Sequence, residues 1–96
     1  MYQLIIRPRA TGMAEKAYNW YEEQQPGLGK LFIAELISCY DKIETWPAAY
    51  TIINKNYRQI ILKTFPYVVV YEIFEENVVV FSVFHTSRSP RKKFKK

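Results

Sequence analysis

The pattern of apolar positions is clearest between Tyr57 and His85. This stretch holds three runs of five to eight residues that are rich in Val, Ile, Phe and Tyr. Turn-forming residues separate the runs, with Pro66 at the first break and the Glu-Glu-Asn segment 75–77 at the second. β-Branched and aromatic residues favour a pleated, half-buried surface, and proline does not occur in a central strand. The pattern therefore predicts an antiparallel meander with strands near 57–63, 67–74 and 78–85.

Apolar residues recur at helical spacing before this meander. The pattern predicts a first helix over about 12–24, with Thr11 as its N-cap. Pro26 and Gly27 break that helix, and a continuous apolar stripe then predicts a second helix from about Leu28 to Thr45. The connection is only a few residues long, so the two helices must form an antiparallel hairpin.

Short strands are predicted on either side of the helices. Residues 2–7 form an apolar segment that Arg7 and Pro8 end, and residues 50–53 could form an edge strand that turns at 54–56 into the meander. The order is strand, helix, helix, then three or four strands. This order predicts an α+β fold in which the helical hairpin packs on one face of a mostly antiparallel sheet.

The length of 96 residues indicates one domain, which we assign to residues 1–90, with a basic C-terminal tail at 91–96. Trp20, Trp46 and Phe81 are expected in the core, and the single Cys39 is expected to be a small buried hydrophobe. One cysteine cannot form an internal disulfide, which favours a reducing, cytoplasmic location. Neither a signal peptide nor a membrane span is expected, because the apolar runs are too short.

The charge is distributed very unevenly along the chain. Residues 1–87 carry eight Lys or Arg and nine Asp or Glu, whereas residues 88–96 carry six Lys or Arg and no acid. A basic end of this kind indicates a contact with nucleic acid or an acidic partner, or a segment that is simply solvated.

Few residues offer chemistry on their own. The sequence lacks phosphate-binding and dinucleotide-binding motifs, and one Cys with one His cannot make an ordinary metal site, so we expect no cofactor and no metal. Arg58 lies on a predicted strand, where we favour pairing with a carboxylate at the edge of the core over a phosphate contact. His85 ends the last strand and is either bonded to the backbone or an acid–base group. Arg88 is the better candidate for binding a phosphate or a carboxylate.

An ordered set of short motifs resembles the RelE/ParE superfamily of bacterial toxins from type II toxin–antitoxin modules, often labelled plasmid-stabilisation proteins. The motifs span most of the chain. They are the helical segment 17–22, the turn Gly27-Leu28-Gly29 with Phe32, the end of the second helix at 43–47, Tyr57-Arg58, Phe65-Pro66-Tyr67 with Tyr71, and His85 with Arg88-Ser89-Pro90. The fold that this resemblance implies is strand–helix–helix–strands, which agrees with the pattern.

The resemblance implies one of two mechanisms. RelE-like toxins are ribosome-dependent mRNA endonucleases, and the catalytic set here would be Arg58, His85 and Arg88. That branch also carries cations on the central strands and after the Pro-Tyr corner, and often a C-terminal Tyr. This chain has Gln59, Ile61 and Val68 at the strand and corner positions, with only Lys63 nearby, and Phe94 near its end.

These departures favour the ParE-like branch, which inhibits DNA gyrase by binding and has no comparable catalytic set. A degenerate, non-toxic interaction module is the remaining alternative.

The resemblance also implies a cognate antitoxin as the main partner, with a toxin–antitoxin hetero-oligomer as a possible assembly. An antitoxin segment would be expected over the helical hairpin and the sheet edge, where Trp20, Tyr21 and Leu36 could offer apolar surface. The residues expected to bind the target or the antitoxin are Trp20, Tyr21, Arg58, Arg88, Arg91, Lys92 and Lys93.

Overall fold

Residues 2–87, which the computed structural model describes, form a five-stranded sheet with two helices packed on one face. The strands lie in the order β1-β5-β4-β3-β2, with β1 parallel to β5 and every other pair antiparallel. The elements are β1 (Gln3–Ile6), α1 (Pro8–Gln24), α2 (Leu28–Thr45), a short 3-10 turn (Pro47–Ala49), β2 (Thr51–Asn54), β3 (Tyr57–Ile61), β4 (Tyr67–Phe74) and β5 (Asn77–His85). This confirms the predicted α+β architecture, including the helical hairpin and the edge strand β2.

Helix α1 begins four residues before its predicted start. Pro8 is the first helical residue, and Arg7 is the N-cap with an extended backbone (φ −66°, ψ 149°). Proline suits this position because its fixed φ is close to helical and its missing N–H would have no partner inside the helix. The prediction of Thr11 as N-cap is therefore wrong, and the Thr11 N–H instead donates to the Arg7 carbonyl at 3.1 Å.

A β-bulge in β5 determines which side chains face the helices. Val70 pairs with Ser82, whereas the next residue, Tyr71, pairs with Val80, so Phe81 is an extra residue on β5. Side chains alternate between the two faces of a strand, and one inserted residue reverses that alternation. Residues on both sides of the bulge therefore face the helices: Val78, Val80, Val83 and His85.

Four aromatic rings form the centre of the core between the helices and the sheet. The ring centroids of Tyr21 and Phe65 are 4.8 Å apart, and those of Phe32 and Tyr67 are 5.1 Å apart. Edge-on contacts of this kind add to the stabilisation from burying the rings. Cys39 is buried against the same cluster, which confirms its prediction as a core hydrophobe.

Three aromatic residues that were predicted in this core lie elsewhere. The side chains of Trp20 and Trp46 are 57% and 65% exposed. Tyr21 takes the core-facing position beside Trp20, and Trp46 is the C-cap residue at which the backbone leaves α2. Phe81 is half-buried at the bulge, where its ring packs against Tyr57 on the face of the sheet away from the helices. The predictions for these three residues are wrong because the spacing of apolar residues does not reveal the cap at Trp46, the bulge at Phe81 or which of two adjacent aromatic residues on α1 faces the sheet.

The tight turn between the helices depends on Glu22. Its carboxylate accepts hydrogen bonds from the N–H groups of Gly27 (3.3 Å), Gly29 (2.8 Å) and Lys30 (3.3 Å), which cap the start of α2. These hydrogen bonds hold the pKa of the Glu22 carboxyl below its ordinary value of 4.5, and the bond from Gly27 has the largest effect. Gly27 has a φ of 91°, a left-handed conformation that glycine adopts without strain.

Replacing Glu22 by Gln is expected to lower the stability at neutral pH, because the capping charge is lost. A depressed pKa in the folded state stabilises the protein above the unfolded-state pKa and ceases to do so as pH falls through the folded value. The gap between the urea midpoints of wild type and Glu22→Gln should therefore be full at neutral pH and close as the pH falls below the ordinary carboxyl pKa of 4.5. Glu23→Gln, on an exposed neighbour in α1, is the control. A gap that persists at acidic pH would contradict the capping role.

Candidate functional site

Arg58 forms hydrogen bonds to the segment between α2 and β2. Its Nη1 donates to the main-chain carbonyls of Tyr50 at 2.7 Å and Ala48 at 3.2 Å. Tyr71, opposite Arg58 on β4, donates its hydroxyl to the carbonyl of the buried Pro47 at 2.6 Å, and burial raises its pKa to about 12. The guanidinium thus bonds to main-chain carbonyls where the sequence analysis expected a carboxylate.

His85 ends β5, as predicted, and bonds to the turn that follows it. The Ser87 N–H lies 3.2 Å from Nδ1, and the Ser87 Oγ lies 2.7 Å from the same atom. A backbone N–H can only donate, so Nδ1 accepts and the neutral ring carries its proton on Nε2. The second ring nitrogen is therefore a hydrogen-bond donor. The ring also packs edge-on against Tyr67, with centroids 5.1 Å apart.

The fold separates Arg58 from His85. Arg58 pairs with Tyr71 and His85 pairs with Tyr67, on opposite sides of β4. At strand spacings this places their backbones roughly 13 Å apart along β4 and about 10 Å apart across it. The two side chains do not converge on one phosphate-sized position. The other predicted cations, namely Arg88, Arg91, Lys92 and Lys93, lie outside the described residues, as does Phe94.

Gln59, Ile61 and Val68 lie together on the face of the sheet away from the helices. These are the positions at which the resemblance implies cations in a RelE-like endonuclease. Ile61 pairs with Val68, and Gln59 pairs with Val70, the next residue on this face. Val68, Val70 and Phe84 form a buried apolar cluster there, and Ile61 is 60% exposed. The surface at these positions is apolar or neutral.

A groove of about 510 Å³ lies between α1 and the paired ends of β4 and β5, and we call it the α1–β5 groove. It brings together three of the predicted site residues, Trp20, Tyr21 and His85. Burial and then the neighbouring Tyr67 hydroxyl raise the pKa of Tyr21. The full lining is Met13, Lys16, Ala17, Trp20, Tyr21, Tyr67, Val83, His85 and Ser87.

Sequence reasoning missed Lys16 and Ser87 as members of this groove. Lys16 precedes Trp20 by four residues on α1, and that spacing places both on one side of a helix. The helical pattern could therefore have indicated the pair. Ser87 joins the groove through its bonds to His85, which no spacing along the chain reveals.

The described part of the chain offers no metal site and no membrane span. Between residues 2 and 87, no three His, Cys, Asp or Glu side chains are grouped so that they could hold a metal ion. Neither helix in that range is long and apolar enough to cross a lipid bilayer.

A protein-family model matches almost the whole described chain. The model of the ParE toxin of the type II toxin–antitoxin system parDE matches residues 4–90. The chain belongs to the ParE toxin family. The match covers nearly the whole domain. It confirms the resemblance inferred from the motifs and the assignment to the ParE-like branch. No protein of curated function matches the sequence.

Solved structures of this ParE-family fold are similar over almost the full chain. The chromosomal ParDE toxin–antitoxin system from P. aeruginosa superposes with a TM-score of 0.81 at 11% identity, covering 91% of this chain and 98% of that one. The isolated E. coli RelE toxin gives 0.68 at 23% identity (96% and 92% covered), and the intact E. coli RelBE toxin–antitoxin complex gives 0.70 at 22% (92% and 100%). The TM-scores show a shared fold, and at these low identities the similarity shows the fold alone.

Proposed function

We propose that this ParE-family toxin inhibits DNA gyrase by binding to it, and that a cognate antitoxin neutralises it. The lack of charge at Gln59, Ile61 and Val68 is the observation that carries the proposal. An RNA-cleaving site must stabilise the negative charge that develops on a phosphate, which requires positioned donors or cations. At those three positions this face presents no cation, and Gln59 is the one residue among them with a side-chain donor.

The other nuclease candidates support the same proposal. Nη1 of Arg58 is held by two main-chain carbonyls, and His85 lies on the other side of β4, far from Arg58. General acid–base catalysis needs a base and a charge-stabilising group at the same reacting atoms. A binding toxin needs only complementary surface, for which the exposed Trp20 and the basic residues 88–96 are the candidates.

An antitoxin partner fits both the family and the surface. One of the similar structures is a complex of a RelE toxin with its antitoxin, and this chain leaves Trp20 on α1 open to a partner. Leu36, also expected to offer surface, is buried between the helices and the sheet. We propose that the antitoxin covers α1 and the sheet edge beside it in a hetero-oligomer, and that its acidic residues meet the basic residues after Ser87.

The test is a supercoiling assay with purified gyrase and relaxed plasmid. Wild-type protein should block supercoiling, and replacing the four tail lysines at 92, 93, 95 and 96 by Gln should weaken the block about tenfold or more. The control replaces four exposed lysines of the body by Gln, so that the net charge changes equally. Those lysines are Lys30, Lys42, Lys55 and Lys63.

The outcomes separate the alternatives. Unchanged supercoiling at saturating protein would overturn gyrase inhibition, and mRNA cleavage in the ribosomal A site after expression would establish the endonuclease alternative in its place. A protein that neither inhibits gyrase nor arrests growth would be the non-toxic interaction module.

A further inference from the structure

We propose that the α1–β5 groove binds an acidic peptide segment that places one large apolar side chain on the groove floor. The structure of the groove by itself supports the binding of such a peptide. That the peptide belongs to the antitoxin rests on the proposed function.

The floor of the groove is apolar and held rigid by the core. Tyr21 and Tyr67 are each 9% exposed and Val83 is 1% exposed, so only a small part of each side chain forms the floor. Both tyrosine rings pack against the core aromatics, with Tyr21 4.8 Å from Phe65 and Tyr67 5.1 Å from Phe32. A floor that is ordered before binding loses little conformational entropy on association. The volume of about 510 Å³ accommodates one or two large side chains.

Trp20 provides an open aromatic surface at the rim. Its indole stands nearly perpendicular to the Tyr21 ring, with centroids 5.1 Å apart and an interplanar angle of 83°. This contact fixes the ring while 57% of the side chain stays exposed. Tryptophan beside an apolar floor is the kind of residue that contributes most to binding in protein interfaces.

The polar groups around the groove favour carboxylates. Lys16 contributes an ammonium group, and the Nε2–H of neutral His85 is a donor. The described lining contains no Asp or Glu, although acids outnumber bases among residues 1–87. From Ser87, at the edge of the groove, the chain continues into nine residues with six Lys or Arg and no acid. The described lining, with one lysine and no acid, is therefore complementary in charge to an acidic segment.

The same features favour a peptide over a single-stranded nucleic acid. An oligonucleotide needs successive cations along its backbone as well as an aromatic stacking surface. Lys16 is the single lysine or arginine in the described lining, whereas Met13, Ala17 and Val83 make an aliphatic surface. Aliphatic and aromatic side chains of a peptide fit that surface, and one ammonium suits one carboxylate.

The experiment follows the indole N–H signals of the full ¹⁵N-labelled chain during peptide titration. The chain has two tryptophans, and Trp46 lies at the end of α2 outside the groove, so it is an internal control. The probe is a blocked eight-residue synthetic peptide with Leu-Phe flanked by glutamates. Matched peptides carry Gln for every Glu, or Ser-Ser for Leu-Phe. We expect the probe to shift the Trp20 signal and leave Trp46 unchanged, and both matched peptides to bind at least about tenfold more weakly.

Two pairs of surface variants sharpen the result. Trp20→Ala should weaken the probe about tenfold or more and Lys16→Gln several-fold, as judged from backbone signals around Val83. Trp46→Ala and Lys42→Gln remove the same groups outside the groove and should leave binding unchanged.

Three results would overturn the proposal: no Trp20 shift at millimolar probe, equal binding of the Gln peptide, or tighter binding of an eight-residue oligo-dT. A failed supercoiling assay would leave the peptide titration unaffected, so the two proposals fail separately.

Discussion

Replacing Phe32 by Ala is expected to lower the free energy of unfolding by about 3–5 kcal/mol. Phe32 is fully buried, and its ring contacts Tyr21, Phe65 and Tyr67 at centroid distances of 5.5, 5.4 and 5.1 Å. Removing it leaves a cavity where α2 meets the sheet, because three rings on separate elements cannot all move inward. The loss is a large part of the 5–15 kcal/mol that usually stabilises a domain. Urea unfolding followed by circular dichroism measures it.

Phe74→Ala is the matched control for this prediction. Phe74 ends β4 and is 58% exposed, so its truncation should cost less than about 1 kcal/mol. Equal losses for the two variants would show that the ring cluster around Phe32 is not the centre of the core. Phe32→Ala should also weaken binding of the acidic peptide, since the tyrosines that form the groove floor pack against this ring.

Gly29→Ala is expected to lower the free energy of unfolding by about 1–3 kcal/mol or more. A Cβ at Gly29 would lie 2.6 Å from the Tyr18 carbonyl oxygen and 2.6 Å from Glu22 Cγ. The backbone oxygen cannot yield without moving α1, and Glu22 cannot yield without losing its cap on α2. The hairpin would have to open, and the same urea experiment would record the loss.

Gly12→Ala is the contrasting variant. Gly12 lies inside α1 with nothing within 4 Å of the added Cβ, and alanine is the better helix former. We expect this variant to be more stable than wild type by up to about 1 kcal/mol. Opposite signs for the two glycines would show that close packing at Gly29 determines the result, and a neutral Gly29→Ala would disprove that packing.

Element types could be predicted here because their signals are local. The stripe of α2 and the Val-rich runs of β4 and β5 repeat within a few residues, and each repeat alone specifies a helix or a strand. The predicted start of α1 is wrong because a proline at position 8 is compatible with two local structures. It ends the extended segment before it, and it also fits the first position of a helix.

The candidate site was less predictable, since its members become neighbours only in three dimensions. Trp20 and Tyr21 are adjacent in sequence, yet one is exposed and the other buried, because the sheet covers only one side of α1. Arg58 bonds to carbonyls eight and ten residues before it, and the alternation of a strand cannot predict such partners.

The sequence by itself determined the order of the elements, the membership of the toxin superfamily and the concentration of positive charge after residue 87. These follow from local periodicity, from short ordered motifs and from composition. Only the tertiary structure decided that the bulge at Phe81 aims His85 at α1, that Arg58 and His85 lie apart, and that Lys16 and Trp20 border a groove. The physical reason is that periodicity fixes which residues share a face, whereas strand register and packing between distant segments decide what covers that face.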